Sequence, residues 1–487
     1  MNDRIRLSAR DLPRGGKRPV PGIIHLGLGA FFRAHVATYL ADAIAESGGD
    51  WGVIGASLQS PATRDKLAPQ DNVYIAVELG PKDRDYRLMD LISDVVVAPE
   101  DPGHLIGLMA APAIRLVTLT VTEKGYCHEP ATGRLMTDHP VIAHDFAHPD
   151  SPRSAIGFLV SALDQRRRNG QRPFTMLSCD NLPENGRVLR GLVLEFAGAL
   201  DPDLARWIET EARFPCCMVD RIVPATTEDD IAAVVEATGR LDLAPVMHEP
   251  FRQWVIEDDF VDGDRPNLAA AGAEMVADVS PFEAMKLRCL NGTHSTLAYL
   301  GYLAGHATIH DAVSDPVFER LCRRLWRDEI IPILIPPQGT DLTAYAEALL
   351  ERYRNPAIRH ATWQIAMDGS QKLPQRILGT IADNLRAERP CPALTLAVAG
   401  WMKYVSGYDE AGREIDVRDP LADRLRGIWQ AHPDPETRAD AYLAQGTVFG
   451  MLAGQPGFRA DLARACAELD IYGARGAAER VRGRPLP

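Results

Sequence analysis

The chain has 487 residues, 46% hydrophobic and 24% charged. That balance belongs to a folded protein of several domains and excludes disordered, collagen-like and coiled-coil chains. Lys and Arg number 53 against 66 Asp and Glu, a net charge of −13, so nucleic acid is a poor expectation as a partner and an anionic substrate would need a locally basic pocket.

In chain order, the polar and basic opening through Pro19 carries no apolar stretch of the kind a secretory signal has. The run IIHLG, from Ile23 to Gly27, predicts a strand. A glycine turn follows, then an amphipathic helix from about Ala34 to Glu46 and a β-like run from Trp51 to Ser57. Together they make a βαβ unit. Further β-like runs lie at Val73 to Leu79, Ile114 to Val121, Phe174 to Ser178 and Met218 to Val223. Helical patterns at Ala155 to Arg168 and Gly186 to Ala199 alternate with them. The expectation is an α/β domain over 1–280 with a mostly parallel sheet of the Rossmann type.

After about Pro281 helical patterns dominate: Thr293 to Ala304, Pro316 to Ile331, Leu342 to Tyr353, Pro374 to Ala387, Ala393 to Val405 and a continuation over Asp440 to Leu469. Residues 281–487 are therefore expected to form a mainly α-helical second domain. The eight cysteines include no C-x-x-C pair, and no run approaches the length of a membrane-spanning helix. A cytoplasmic protein with reduced cysteines, no membrane partner and no metal site is the expectation.

Three segments carry chemistry. The turn Gly27-Leu28-Gly29-Ala30-Phe31-Phe32 is G-x-G-x-x-F, with the third glycine of a dinucleotide loop missing. Its place between a strand and a helix fits a pyrophosphate on a helix N-terminus, although a purely structural glycine turn has the same pattern. The second strand ends Ala56-Ser57-Leu58-Gln59-Ser60 without the acid that usually selects NAD, and Arg64, the nearest cation, is either a contact for a ribose phosphate or a solvated helix-start arginine; the expected cofactor is NAD, with NADP not excluded. In the second segment, Lys286 and His294 would stand about 12 Å apart along one unbroken helix. A break at Asn291-Gly292 would gather Lys286, Asn291 and His294 around one point. From spacing alone, an exposed lysine, a capping asparagine and a core histidine are the better account. The third segment, Ser178-Cys179-Asp180-Asn181, follows an apolar strand at a ligand position of a parallel sheet; Asn181 there is either an amide donor or an Asx-turn residue.

Taken together these residues resemble the mannitol dehydrogenase family of long-chain polyol dehydrogenases over nearly the whole chain. Phe214 to Pro224, FPCCMVDRIVP, resembles the family signature around V-D-R-[IV], and Lys286 to His294 matches K-x-x-x-x-N-x-x-H. The resemblance implies a Rossmann domain, a helical substrate domain and metal-independent oxidation of a secondary alcohol. It makes Lys286 the acid/base, Asn181 and Asn291 donors to the reacting oxygen, Asp220 and His294 orienting or substrate-binding groups, and Glu283 a proton relay. Gly27, Gly29, Ala30, Phe31, Arg33 and Ser57 fall to the cofactor. Where relatives often read G-F-H-R-A-H the chain reads AFFRAH, with Phe32 in place of the histidine.

Lys124, in TEKGY, stands where mannitol enzymes tend to have glycine, and the segment MDGSQKLPQR looks like the uronate-reducing version of its motif, with Lys372 common to both branches and Arg376 characteristic of the uronate one; surface charge is the alternative reading of Lys124 and Arg376. An arginine grips a carboxylate bidentately. The expected substrate is a small sugar acid, D-mannonate or D-fructuronate, with mannitol and fructose as the alternative pair. A non-catalytic sugar- or nucleotide-binding module and a methyltransferase are the competing classes; neither calls for the lysine and two asparagines. The expected state is a monomer or weak homodimer.

Overall fold

Pro21–Leu26 (β1) forms the central strand of a five-stranded parallel sheet in a computed structural model that describes residues 5–12, 18–129 and 132–481. Its neighbours are Gly52–Ser57 (β2) on one side and Leu116–Leu119 (β6) on the other. Ile92–Val97 (β5) and Thr175–Ser178 (β7) complete the order β5-β2-β1-β6-β7. Strands β2, β6 and β7 are buried along their whole length. Helices on both faces require this, so these strands read as continuous apolar runs rather than alternating ones. The strand order turns back at β1, which places the ligand crevice beyond the carboxyl ends of β1 and β6.

Not all the β-like runs join this sheet. Tyr74–Leu79 (β3) pairs antiparallel with Arg84–Met89 (β4) and parallel with Val246–His248 (β9). The connection from Gly80 to Asp83 is too short for a crossover and permits only a hairpin. Cys217–Asp220 (β8) pairs antiparallel with Gln253–Glu257 (β10), which Glu274–Val276 (β11) flanks. Strand β5 was not legible in the sequence because Ser93 and Asp94 interrupt its apolar pattern. It is an edge strand, with Ser93 half-buried and Asp94 exposed.

The chain divides into two units, Met1–Ser280 and Pro281–Pro487. The second is helical. Thr293–Leu303 is buried nearly all round and packs against Pro392–Tyr404. Three stretches within it are wound as π-helix: Lys286–Gly292, Leu325–Ile330 and Pro374–Leu378. Asn291-Gly292 therefore does not break the chain, contrary to the expectation; the helix continues through it in a wider register. All eight cysteines are buried and free. No helix among the described residues is long and apolar enough to cross a membrane.

Candidate active site

In the first unit a cavity of about 830 Å³ opens at the carboxyl ends of the parallel strands. Gly27, Leu28 and Gly29 line it after β1, Ser57 to Ser60 after β2, and Thr120 to Thr122 after β6. The two glycines are there for different reasons. Gly27 has φ +90°, and a Cβ on it would lie 2.3 Å from the Thr120 carbonyl oxygen. The fold itself therefore forbids a side chain. A Cβ on Gly29 would meet nothing nearer than the Gly27 carbonyl oxygen at 3.7 Å. Nothing within the protein demands glycine at that position.

Among the described residues the lining includes Lys124, His139 and Arg153 and no Asp or Glu. In a chain of net charge −13 this is a local reversal of sign that suits an anion. Arg153 was not anticipated from sequence. Buried Asp145 fixes its main chain, accepting from the Arg153 amide at 2.7 Å and the Ser154 amide at 2.8 Å. Ser154 in turn caps Ala155–Arg168. Lys124 lies in the turn Glu123–Tyr126, so the structure places it beside the glycine loop. Ala30 and Phe31 begin the helix after the loop.

Arg33 is turned inward: its guanidinium donates to the Ala244 and Gly29 carbonyls, and it braces the loop from behind. A contribution of Arg33 to cofactor binding would therefore act through the main chain of the loop. Phe32 is fully buried and stacked on His25 at a ring separation of 3.6 Å, so the departure from the family pattern is absorbed inside the fold. His25 sits between Thr118 and Thr120 at 2.8 and 2.9 Å, and burial lowers its pKa to about 3. Arg64 is paired with Asp65 and Glu100.

The ends of β6, β7 and β8 are tied together by hydrogen bonds. Asp180, buried at 9% exposure, accepts from the Val121 and Thr122 amides at 2.9 Å each and from the Tyr126 hydroxyl at 2.7 Å. Thr122 has φ 68° and ψ 161°, a conformation essentially reserved for glycine that costs about 1–3 kcal/mol and persists only where neighbours impose it. Asn181 stands next to Asp180 on the exposed turn. The Asn185 amide donates to the Asp180 carbonyl at 3.1 Å and to the Cys217 carbonyl at 2.8 Å, which reaches β8. Asp220, buried at 4% exposure, is the last residue of β8.

In the second unit the π register explains the spacing of the sequence motif. Bonding from i to i+5 sets residues five apart on one face, and Lys286 and Asn291 are five apart. The α-helix resumes at Thr293, and His294 and Ser295 follow Asn291 at the i+3 and i+4 spacing that continues the face. Glu283 is three residues before Lys286, on Ser280–Met285, and half-buried. Lys286, Asn291 and His294 are all buried.

The π stretches support one another. A Cβ on Gly292 would lie 2.7 Å from the Arg376 carbonyl oxygen, so glycine is what lets the first and third stretches touch. Trp326, in the second stretch, donates its indole N–H to the Cys289 carbonyl at 2.9 Å. The Tyr353 hydroxyl donates to the Leu290 carbonyl at 2.9 Å.

Around His294 the charge is positive. Its ring stacks on Tyr353 at 5.4 Å and meets the edge of His360 at 4.9 Å. Burial, then His360, Arg376, Arg352 and Lys372, hold its pKa well below the ordinary imidazole value. Burial, then Lys372 and Arg376, lower His360 to about 4. Arg376 donates to the Ser295 hydroxyl at 3.2 Å, and Lys372 to the Met367 carbonyl at 2.6 Å. Asn291 Oδ1 and His294 Nε2 are buried polar atoms with no hydrogen-bond partner among the described residues. Arg352 and His360 were missed in the sequence, where neither belongs to a recognisable motif. Among the described residues, no three His, Cys, Asp or Glu side chains group so as to hold a metal ion.

A parallel sheet reversing at a glycine turn, an anion-suited cavity beyond it and a separate helical unit with a buried lysine define a dinucleotide-binding oxidoreductase architecture. The chain belongs to the mannitol dehydrogenase family. Residues 21–270 match the model of the Mannitol dehydrogenase Rossmann domain and residues 278–470 that of the Mannitol dehydrogenase C-terminal domain. It is 46% identical over 432 residues to D-mannonate oxidoreductase of Escherichia coli (strain K12), covering 88% of each chain. It is 38% identical over 419 residues to a mannitol 2-dehydrogenase of Aspergillus fumigatus, covering 84% of this chain and 83% of the relative. The structure of Pseudomonas fluorescens mannitol 2-dehydrogenase in ternary complex with NAD and D-mannitol superposes with a TM-score of 0.87 at 37% identity, covering 98% of this chain and 96% of that one.

Proposed function

We propose that the chain is an NAD-dependent oxidoreductase that interconverts D-mannonate and D-fructuronate. For the cofactor, the supporting observation is Gly29, whose missing side chain the fold does not require and a bound pyrophosphate would. Lys124 and Arg153 in an acid-free lining offer the matching charge. Gly27, Gly29 and Ser57 would hold the dinucleotide, with Ala30 and Phe31 presenting the helix start. The second strand ends without an acid, so NADP is the cofactor to test beside NAD. When bound, the nicotinamide supplies hydride acceptance and donation.

Within the chain, Lys286 is assigned the proton transfer. A lysine takes a proton only when neutral, and burial favours that form. Asn291 and Asn181 are assigned as amide donors to the reacting oxygen, where charge develops as its proton leaves. Unpartnered Asn291 Oδ1 fits a group whose hydrogen bonding is reserved for a ligand. Glu283 is assigned proton exchange with solvent, and Asp220 and His294 substrate orientation.

The observation that carries the choice of a sugar acid is Arg376, which donates to the Ser295 hydroxyl on the face that continues from Asn291 through His294. Arg376 belongs to the segment that resembles the uronate-reducing branch, whereas Lys372 occurs in both branches, and an arginine grips a carboxylate bidentately. The higher identity to a D-mannonate oxidoreductase than to a mannitol 2-dehydrogenase supports the same reading. The close superposition on a mannitol 2-dehydrogenase keeps mannitol and fructose as the second reading. The deciding experiment follows nicotinamide absorbance with fructuronate, fructose, mannonate and mannitol, each with NAD(H) and NADP(H). A larger kcat/KM for fructuronate than for fructose is expected, and the reverse order would overturn the assignment. The protein is expected to act in the cytoplasm, as a monomer or weak homodimer.

A further inference from the structure

We propose that Asp180 is a positioning residue of this reaction: its carboxylate holds the strained turn at Thr122 on the cofactor cavity, while its own main chain sets the adjacent Asn181. The inference rests on the functional reading above and assigns a role to a residue that reading leaves unused.

Three donors converge on the buried carboxylate. The amides of Val121 and Thr122 take one oxygen each, and the Tyr126 hydroxyl takes the oxygen that Val121 uses. The Tyr126 hydroxyl also meets the Ser178 hydroxyl at 2.6 Å, so the turn after β6 is bound to the end of β7 twice. Between these anchors Thr122, Lys124 and Gly125 line the cavity. Without Asp180, two adjacent amides facing the interior would lose their acceptors, and Thr122 would have no reason to keep a glycine-like conformation. Lys124 would move with it. On the other side, Asn185 holds the Asp180 carbonyl and bonds Cys217 through both its amide and its carbonyl oxygen. The Asp180 carboxylate thus ties the cofactor-lining turn to the Asn181 turn, and Asn185 ties that turn to the strand that ends in Asp220.

Asp180→Asn is the sharpest test, because it keeps size while replacing one acceptor oxygen by a donor that opposes a main-chain amide. Displacement of reacting groups on the scale of an ångström costs up to about 100-fold in rate. We expect kcat to fall about 10- to 100-fold and the NADH dissociation constant, read by fluorescence titration, to rise several-fold, with the KM for the sugar little changed. Thr122→Gly placed on Asp180→Asn should recover at least about threefold of the lost kcat, because glycine adopts this backbone freely. A merely structural role for Asp180 would lower thermal stability without that rescue. Wild-type kcat and NADH affinity in folded Asp180→Asn, or a loss that Thr122→Gly leaves untouched, would overturn the proposal. If Asp180→Asn does not fold, Tyr126→Phe removes a single donor and should weaken both kcat and NADH binding; wild-type values there would also overturn it. A wild-type protein that binds NADH but turns over no sugar acid or polyol would defeat the functional reading instead, and the NADH titrations would still test Asp180.

Discussion

The glycine-loop cavity of the first unit and the His294 cluster of the second are built in opposite ways. The cavity is made largely from main chain: two glycines, strand ends and a loop held by buried carboxylates, with cations at its lining. The cluster is made from side chains: Lys286, Asn291 and Arg376 on π-wound stretches, His294, Arg352 and Lys372 on α-helices, and His360 outside any helix. Binding a cofactor common to many enzymes needs backbone that comes close, and glycine supplies it. Recognising one substrate needs particular side chains, and these must be aimed by unusual helix geometry. Damage to the first region should therefore appear as lost cofactor affinity or stability, and damage to the second as lost chemistry or selectivity.

The strongest test of that contrast is Lys286→Ala. A general acid/base group contributes about 10²- to 10⁴-fold, so kcat should fall by at least about two orders of magnitude while NADH titration stays near wild type. Near-normal turnover would sink the assignment of Lys286 as the acid/base. Asn291→Ala, and Asn181→Ala on the other unit, should each cost about 10²- to 10³-fold in kcat, the range for an oxyanion donor. A rise confined to KM would instead mean uniform substrate binding.

Selectivity comes next. A hydrogen bond to a charged group is worth about 1.5–3 kcal/mol, so Arg376→Leu should cut kcat/KM for fructuronate about 10- to 100-fold and that for fructose much less. Equal losses on the two substrates would point to a packing defect at the contact with Ser295.

The two glycines divide the cavity's own roles. Gly27→Ala meets the Thr120 carbonyl and a φ of +90°, a strain of at least about 1–3 kcal/mol, and should lower Tm by several degrees. Gly29→Ala, which meets no such obstacle, should leave Tm nearly unchanged and weaken NADH binding. The same fall in Tm for both would show that Gly29 also serves the fold.

The smallest effect concerns acid. His360, held at about 4 in the folded protein, binds its proton later than an unfolded histidine of pKa about 6.5. The unfolded state therefore takes up protons first as pH falls. The stability tied to neutral His360 is present above about pH 6.5 and is lost as pH falls through 4. Tm measured across that window should decline less steeply in His360→Gln than in wild type.

Much was legible without coordinates. Buried parallel strands must read as apolar runs, so β1, β2, β6 and β7 stand out, and the glycine turn stands out because Gly27 has no alternative. The Lys286-to-His294 motif was visible as a spacing. Its geometry was not: an asparagine and a glycine suggest a break, whereas the packing of Gly292 on Arg376 and the bonds from Trp326 and Tyr353 hold the chain in a π register. Arg33 and Arg153 show the same limit. Both are arginines near cofactor-binding sequence, but one braces the loop from inside and the other lines the cavity. Arg352 and His360 joined the cluster from helices and loops far along the chain. Local pattern determined which segments are strands and helices because burial acts on every residue of an element. Which side chains meet was decided by tertiary packing, because that depends on contacts between segments that no local pattern records.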